Sequence, residues 1–320
     1  MRLTREGLLR INYRNVQMET ERLICNFHCS YCIVNTPDRR RYDKQDLQRT
    51  EHLWDMLDGI EDRIAVRINL DGETLIDPWG KAIAQDIAGR ANVEVCEMIT
   101  NNSIPPKEYL GMFPVDKISF ACSYHSECIS LERFTNHLLE LRAAGCPAFV
   151  YAVATPRLLL SMGEMKRHFN DLGFSFRVEA LMSEYQGRPY PKSYSIEERH
   201  LLRALYEFPE EYAFSVEAES PLGFPCYAGY DEITLFTDGR VSRCYEYPIG
   251  RLDEYISGHR KLSHHPERCE SESCLCPAYH IYIKRFRDQY PLSKHFVDHY
   301  EGKRCPRNDV ECTRESAEES

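Results

Sequence analysis

The segment Cys25-Asn26-Phe27-His28-Cys29-Ser30-Tyr31-Cys32 brings three cysteines within eight consecutive positions. Its spacing, C-x3-C-x2-C, lets three thiolates converge on one metal centre from a short loop, with the fourth coordination place left open. A zinc site would more often show paired C-x2-C elements, and a structural iron–sulfur site would supply a fourth cysteine. The segment therefore predicts a metal centre with an open place, held by Cys25, Cys29 and Cys32.

The composition of the 320-residue chain is that of a folded protein with reduced thiols. With 42% hydrophobic and 28% charged residues, the chain can bury a sizeable core in one or two domains. Its formal net charge of -10 argues against a nucleic-acid partner, whose binding surface would be basic. The N-terminus lacks an apolar signal region, and no stretch approaches the roughly 18 to 20 apolar residues that span a bilayer. We therefore expect a cytoplasmic protein with no membrane partner, whose 14 cysteines are reduced and available to bind metal.

Up to about residue 205 the chain alternates short β-like runs with helical patterns, which is typical of a parallel α/β arrangement. Six β-like runs are predicted, at residues 22–24, 64–70, 93–100, 117–122, 148–154 and 174–181. The helical patterns between them place apolar residues at a period of 3.6, and capping boxes are predicted at Ser161 with Glu164 and at Ser195 with Glu198. The predicted fold class is therefore α/β, with six β/α units.

Bulky apolar residues alternate with small or polar ones in several of these strands, so the two faces of the sheet meet different surroundings. The predicted helix-facing residues are Ile118, Phe120, Phe149, Tyr151, Phe174, Phe176 and Val178. The predicted inward-facing residues are Arg67, Asn69, Ser119, Ser123, Arg177 and Glu179. A sealed barrel would fill the inward positions with Val, Ile and Leu. The polar residues instead predict an open or widened barrel with a substrate cavity, although a register slip of one residue would reverse the faces of a strand.

The sequence pattern changes near residues 206–224, where prolines and acidic residues mark a boundary. We expect one domain at residues 1–208 and a smaller, Cys-rich domain at residues 209–320. The smaller domain is predicted to begin with a β-hairpin, residues 232–236 and 240–247, joined by the tight turn Thr237-Asp238-Gly239. A helix is predicted at residues 251–262. Seven cysteines lie between Cys226 and Cys312, which is too many for an accident of packing.

The cysteine segment, with Tyr31 before its last cysteine, resembles the C-x3-C-x-aromatic-C loop of radical S-adenosylmethionine enzymes. The resemblance implies a [4Fe-4S] cluster on Cys25, Cys29 and Cys32, with S-adenosylmethionine chelated to the open iron. It also implies that one electron, from a reducing partner such as flavodoxin or ferredoxin, cleaves S-adenosylmethionine to methionine and a 5'-deoxyadenosyl radical. That radical removes a substrate hydrogen. The family fold is a partial (β/α)6 barrel with the cluster after strand one, in agreement with the six predicted units.

The same resemblance assigns cofactor contacts to residues that follow the predicted strands. Asp71-Gly72-Glu73-Thr74 is similar to the family's Gly-Gly-Glu-Pro, which contacts the methionine amino group, with Asp and Thr in place of the first Gly and the Pro. The expected contacts to S-adenosylmethionine come from Tyr31, Gly72, Glu73, Thr100, Asn101, Ser123 and Val178. A plain turn stays the alternative for Asn101, and core packing the alternative for Val178.

The C-terminal cysteines are similar to the SPASM and twitch extensions of these enzymes. Cys226-x12-Gly239-x4-Cys244 fits the hairpin pair that begins an auxiliary iron–sulfur site, whereas the later C-x4-C-x-C departs from the full SPASM spacing of C-x2-C-x5-C-x3-C. The resemblance implies at least one auxiliary [4Fe-4S] cluster. Its expected ligands are Cys226 and Cys244 with two of Cys269, Cys274 and Cys276, and Cys305 and Cys312 leave a second cluster open. A zinc-ribbon-like staple is the structural alternative.

The expected activity is that of an oxidoreductase which dehydrogenates a small polar metabolite, such as a sugar or cyclitol, with the auxiliary cluster as electron acceptor. Only 24 residues precede Cys25, too few for a leader-recognition domain, so a small molecule is favoured over a peptide, with a partner protein that supplies such a domain as the alternative. Arg67 and Arg177 would hold an anionic group of the substrate, and Glu179 would act as a base.

Three alternatives stay open at this point. Epimerisation would need a thiol that returns a hydrogen atom to the substrate, and Cys122 and Cys128 are the candidates. Peptide maturation would form a thioether or a carbon crosslink. Outside the enzymes, the cysteines would belong to an iron–sulfur electron-transfer protein or a scaffold.

Overall fold

A mostly parallel sheet of nine strands forms the centre of the molecule. The computed structural model of the protein describes residues 1–5, 7–15, 24–33, 52–206, 209–244 and 247–272. The strands are β1 (Leu8–Arg14), β2 (Arg63–Asn69), β3 (Val93–Thr100), β4 (Ile118–Ser123), β5 (Ala148–Ala154), β6 (Phe176–Ala180), β7 (Glu184–Tyr185), β8 (Arg188–Pro189), β9 (Pro225–Cys226), β10 (Glu232–Phe236), β11 (Arg240–Ser242), β12 (Pro248–Arg251) and β13 (Glu267–Arg268). The order in the large sheet is β12-β11-β10-β1-β2-β3-β4-β5-β6. All pairs from β10 to β6 are parallel, and β11 and β12 extend the edge in antiparallel pairs.

Helices follow most of the parallel strands and the α/β class is confirmed, although β3 is followed only by the short 3-10 turns Pro106–Glu108 and Leu110–Met112. They are α1 (residues 52–57), α2 (Pro78–Gly89), α3 (Leu131–Ala143), α4 (Pro156–Asp171), α5 (Ile196–Leu205), α6 (Pro209–Ser215) and α7 (Leu252–Ile256). Among the residues that the structure describes, none of these helices is long and apolar enough to cross a membrane.

The two faces of the sheet differ in chemistry, as expected from the alternating residues. We call the face that carries Ile11, Val66, Ile118, Val150 and Phe176 the helix side, and these residues belong to one buried hydrophobic core. We call the opposite face the inner side. It carries Asn12, Arg67, Glu97, Ser119 and Arg177, with a small apolar cluster of Leu8, Ala65 and Val95. The inner side is therefore mainly polar.

The first strand lies elsewhere than predicted. Residues 8–14 form β1, which pairs with β2 and β10, and Ile24, the one described residue of the predicted run at 22–24, forms an isolated bridge to Gly72. Residues 22 and 23 lie outside the described part of the chain. In β1, apolar Leu9, Ile11 and Tyr13 alternate with polar side chains, which is the period of a strand with two different faces. This strand was not predicted because the charged residues Arg10 and Arg14 interrupt its apolar pattern.

The faces of β5 are the reverse of the prediction. Phe149 pairs with Ala121, and Tyr151 pairs with Ser123 and Arg177, so both aromatic side chains lie on the inner side. Parallel partners in register point to the same face, which leaves Val150 and its alternating neighbours to pack against the helices. The predicted faces of Ile118, Phe120, Phe176 and Val178 are confirmed by the same registers.

One predicted helix start is confirmed and one is wrong. Ser195 and Glu198 form the expected capping box at the start of α5. Helix α4 begins earlier than Ser161, because the Thr155 side chain accepts from the Leu158 amide and Pro156 occupies the first turn.

The predicted hairpin in the C-terminal part is present but continues the large sheet. Its first strand, β10, pairs in parallel with β1, and its second strand, β11, ends at Ser242, short of the predicted residue 247. Helix α7 covers only Leu252–Ile256 of the predicted residues 251–262. The division between residues 208 and 209 stays a prediction, and hydrogen bonds of one sheet join the two predicted domains.

Ile11 tests the placement of β1, because its side chain is 1% exposed between Val66 and Ile233. We expect Ile11→Ala to lower the free energy of unfolding by about 2 to 5 kcal/mol, measured by urea denaturation followed by circular dichroism. The control is Leu160→Ala on α4, where the side chain is 80% exposed and the change should stay within about 0.5 kcal/mol. An Ile11→Ala protein as stable as the control would contradict this strand assignment.

Candidate active site at the cysteine loop

The cysteine loop, residues 24–33, lies at the carboxyl ends of the parallel strands, where open α/β sheets and barrels carry their ligand sites. Cys29 is buried, and Cys25 and Cys32 are partly exposed. Burial raises the pKa of the Cys29 thiol, and the neighbouring thiols of Cys128, Cys32 and Cys25 raise it further. The three predicted cluster ligands therefore lie near one another, with a fourth thiol beside them.

The segment after β2 holds the loop by a close backbone approach. The Glu73 amide donates to the Ile24 carbonyl at 2.8 Å, and Ile24 forms a bridge with Gly72. Gly72 has a φ of +92°, and a Cβ at this position would lie 2.4 Å from the Ile24 oxygen. Only glycine fits this turn without moving the backbone that leads into Cys25.

The side chain of Glu73 ties the ends of β2 and β3 together. It is 1% exposed and accepts hydrogen bonds from the Leu75 amide at 3.0 Å, the Thr100 hydroxyl at 2.8 Å and the Asn101 amide at 2.5 Å. Burial raises the pKa of Glu73 to about 6, although these hydrogen bonds oppose the shift. Gly72, Glu73, Thr100 and Asn101, which were predicted separately, thus form one connected group.

Asn101 and Ser103, after β3, contact the loop directly. The Asn101 side-chain amide donates to Asn26 Oδ1 at 3.0 Å and lies 3.8 Å from the sulfur of Cys25. The Asn26 amide donates in turn to the Ser103 hydroxyl at 3.0 Å. These bonds fix the first half of the loop.

The segment after β4, residues 125–128, holds the second half of the loop. Glu127 accepts from the Ser30 amide at 2.9 Å and from its hydroxyl at 2.7 Å. His125 Nδ1 lies 2.9 Å from the Tyr31 hydroxyl, and the sulfur of Cys128 lies 3.9 Å from that of Cys29. Sequence reasoning missed His125 and Glu127. The signal that would have found them is the run of polar residues directly after β4.

Tyr31, at the aromatic position of the loop, is 4% exposed. Burial and the Cys29 thiol raise the pKa of its hydroxyl. Its carbonyl accepts from the Ser183 hydroxyl at 3.1 Å, after β6. The cysteine loop is therefore held by the segments that follow β2, β3, β4 and β6.

Two predicted site residues lie on the helix side instead of the inner side. Cys122 pairs with Val150 in register and is fully buried in the hydrophobic core, where burial raises its pKa well above the usual thiol value. Val178 pairs with Ala152 and belongs to the same core. Core packing, the alternative considered for Val178, is what the structure shows. Cys122 therefore does not reach the inner side, whereas Cys128 lies beside Cys29 at the cysteine loop.

The two predicted anion-binding arginines are already paired with carboxylates. Arg67 forms a close ion pair with Glu97. Arg177 Nε lies 3.1 Å from Glu179 and 3.6 Å from Glu211. Buried guanidinium groups need such partners, and we therefore interpret both arginines as parts of salt bridges across the inner side.

Glu179, the predicted base, is one of the two carboxylates paired with Arg177. Its side chain is 17% exposed, and burial raises its pKa while Arg177 opposes the shift. Ser123 lies on the same face, where its side chain is hydrogen-bonded to the hydroxyl of Tyr151. The accessible polar groups of the inner side between β4 and β6 are thus Ser119, Tyr151 and Glu179.

The C-terminal cysteines form a second group of thiols. Burial raises the pKa of Cys226 to about 12, and the nearby thiols of Cys269 and Cys244 add to the shift. Strand β9, which contains Cys226, pairs with β13 just before Cys269. The other predicted ligands, Cys274, Cys276, Cys305 and Cys312, lie outside the described residues.

The cysteine loop suits a cluster better than a single ion. In the described part of the chain, no three His, Cys, Asp or Glu side chains meet closely enough to hold one metal ion. A [4Fe-4S] cluster takes one cysteine thiolate on each iron, so its ligands lie farther apart than those of a mononuclear site. The donor set of Cys25, Cys29 and Cys32 therefore fits such a cluster.

The comparisons with known proteins establish the fold. No protein-family model and no curated protein sequence matches the chain. It is similar to Streptococcus suis SuiB bound to S-adenosylmethionine, with 15% sequence identity and a TM-score of 0.50, over 78% of this chain and 65% of SuiB, less than two thirds of that protein's length. It is also similar to native anSMEcpe with bound AdoMet, with 12% identity and a TM-score of 0.52, over 77% of this chain and 80% of that one. Both are radical S-adenosylmethionine enzymes, so the predicted partial barrel of that family is confirmed as the fold.

A substitution at Gly72 tests whether the cysteine loop depends on the close approach between Ile24 and the turn after β2. We expect Gly72→Ala to displace Ile24 and to lower the iron bound after anaerobic reconstitution by up to about four atoms per chain, measured by iron analysis and the visible spectrum. The matched control is Gly163→Ala in α4, where an added Cβ meets nothing within 4 Å and iron binding should be unchanged. Equal iron content in both variants would show that the turn does not support the loop.

Proposed function

We propose that the protein is a radical S-adenosylmethionine enzyme. Cys25, Cys29 and Cys32 would hold a [4Fe-4S] cluster, and S-adenosylmethionine would bind the open iron. When bound, the cluster supplies one electron, drawn from a partner such as flavodoxin or ferredoxin, that cleaves S-adenosylmethionine to methionine and a 5'-deoxyadenosyl radical. The convergence of three thiols from one loop at the carboxyl ends of the strands carries this proposal.

We further propose that the substrate is a small polar molecule that is oxidised at a carbon bearing a hydroxyl group. The radical would take one hydrogen atom from that carbon, Glu179 would take the hydroxyl proton, and one electron would leave for an auxiliary cluster. The loss of one hydrogen atom, one proton and one electron balances the oxidation of an alcohol to a carbonyl. The raised pKa and partial exposure of Glu179, near Tyr151 on the inner side, support this role.

The electron acceptor in this proposal is a SPASM- or twitch-like auxiliary [4Fe-4S] cluster in the C-terminal part. Three of the ligands would be Cys226, Cys244 and Cys269, because the thiols of Cys244 and Cys269 lie near enough to Cys226 to raise its pKa. Cys274 or Cys276 would supply the fourth. Four cysteine ligands leave no open iron, which suits electron transfer.

A peptide substrate is the second candidate. SuiB has been solved bound to its precursor peptide SuiA, and anSMEcpe with the Cp18Cys peptide, with TM-scores to this chain of 0.50 and 0.51. The inner side also carries an aromatic pair, Phe149 and Tyr151, whose rings lie 6.3 Å apart and which would pack against an apolar side chain. A substrate screen should therefore contain peptides as well as sugars and cyclitols.

The first experiment is an assay of 5'-deoxyadenosine production. Anaerobically reconstituted and reduced protein should form it from S-adenosylmethionine, and Cys29→Ala should lower the yield at least about a hundredfold, because one of three ligands is lost. Cys146→Ala is the matched control, since Cys146 is buried away from the loop and should leave the yield unchanged. Equal yields from Cys29→Ala and the control would contradict the enzyme and favour a scaffold or electron carrier.

A second experiment tests the auxiliary cluster. We expect Cys244→Ala to lose about four iron atoms per chain while 5'-deoxyadenosine remains detectable, because Cys244 is far in sequence from the cysteine loop. Iron analysis and liquid chromatography would measure the two quantities. Full iron content in Cys244→Ala would remove Cys244 from the ligand set.

A further inference from the structure

Three side-chain atoms meet at the second half of the cysteine loop. His125 Nδ1 lies 2.9 Å from the Tyr31 hydroxyl oxygen and 3.4 Å from the sulfur of Cys29. The Tyr31 hydroxyl also lies close enough to the Cys29 thiol for that thiol to raise its pKa. The aromatic residue of this loop thus carries a hydroxyl group in contact with one of the proposed cluster ligands, which a phenylalanine would not supply.

The direction of these hydrogen bonds follows from the state of the sulfur. A cysteine bound to iron is a thiolate, which accepts hydrogen bonds and has no proton to donate. The Tyr31 hydroxyl then donates to the Cys29 sulfur. The Nδ1–H group of His125 donates to the tyrosine oxygen and also faces the sulfur. With the proton on Nδ1, the His125 ring N–H and the Tyr31 hydroxyl each have an acceptor.

We propose that Tyr31 and His125 form a hydrogen-bonded pair on the Cys29 sulfur and thereby raise the reduction potential of the cluster. This inference rests on the proposed [4Fe-4S] cluster at the loop. Hydrogen bonds to a ligand sulfur stabilise the negative charge that reduction adds, so they favour the reduced form. Both side chains are positioning residues, because they act through Cys29.

The His125 ring is held by contacts that do not involve its nitrogen. It stacks on the Tyr31 ring, with centroids 5.9 Å apart and planes at 20°, and it meets Phe27 edge-on at 5.9 Å. Glu127, two residues along the chain, anchors the same segment to Ser30. His125→Phe therefore removes the donor and keeps an aromatic ring between its neighbours.

The test is the midpoint potential of the cluster in the full-length reconstituted protein, followed by electron paramagnetic resonance. The signal of the loop cluster is the one that is missing from the spectrum of Cys29→Ala, and this distinguishes it from the signal of an auxiliary cluster. We expect Tyr31→Phe and His125→Phe each to lower the equilibrium constant for reduction about tenfold, or about 59 mV for a one-electron couple. The double variant should change little further, because the two groups act on one sulfur in sequence.

Two controls separate the hydrogen bond from a structural effect. His125→Asn places an amide nitrogen near the position of Nδ1 and should restore most of the potential. Ser126→Ala changes an exposed residue of the same segment and should leave the potential unchanged.

Unchanged potentials in both phenylalanine variants, at full iron content, would overturn this inference and leave the proposed function standing. Loss of iron from those variants would show a structural role and would overturn it too. A wild-type protein with no Cys29-dependent cluster would overturn the inference and the proposed function together.

Discussion

The site depends on one close approach between two stretches of backbone, Ile24 and Gly72. The amide of Glu73 reaches the Ile24 carbonyl only because Gly72 has a positive φ and no side chain. The same turn directs Glu73 inward, where it bonds to Thr100 and Asn101 at the end of the next strand. Gly72 thus links the cysteine loop to β2 and β3. Contacts from the segments after β4 and β6 hold the rest of the loop.

Much of the fold could be predicted, because strands β2 to β6 are runs of apolar residues separated by helices with a clear period. Strand β1 was missed because its charged residues break the apolar pattern of a strand. These residues lie on the polar inner side of the sheet, which only the tertiary structure reveals. The faces of β5 were reversed because aromatic residues usually mark a core, and Phe149 and Tyr151 lie on the inner side. The cluster cysteines are local in sequence, whereas His125 and Glu127 reach them across about a hundred residues.

The charges of the inner side are largely balanced within the protein. Arg67 is paired with Glu97, Arg10 with Asp231, and Arg177 with two carboxylates. Desolvated charges are stable only with such partners, so the arginines contribute to the cohesion of the strands. Between β4 and β6 the accessible polar side chains are Ser119, Tyr151 and Glu179, and Glu179 is itself paired with Arg177. This balance of charge favours the proposed uncharged substrate over an anion.

The parallel pairing of β1 with β10 also has a consequence for synthesis of the chain. Ile11 and Ile233 are neighbours in the sheet although more than two hundred residues separate them. On the ribosome, β1 can pair with β2 early, but its other edge stays uncovered until residues 232–236 have left the exit tunnel. An unpaired strand edge invites wrong partners. The cysteine loop therefore lies next to an incomplete sheet for most of translation, until residues 232–236 close the edge.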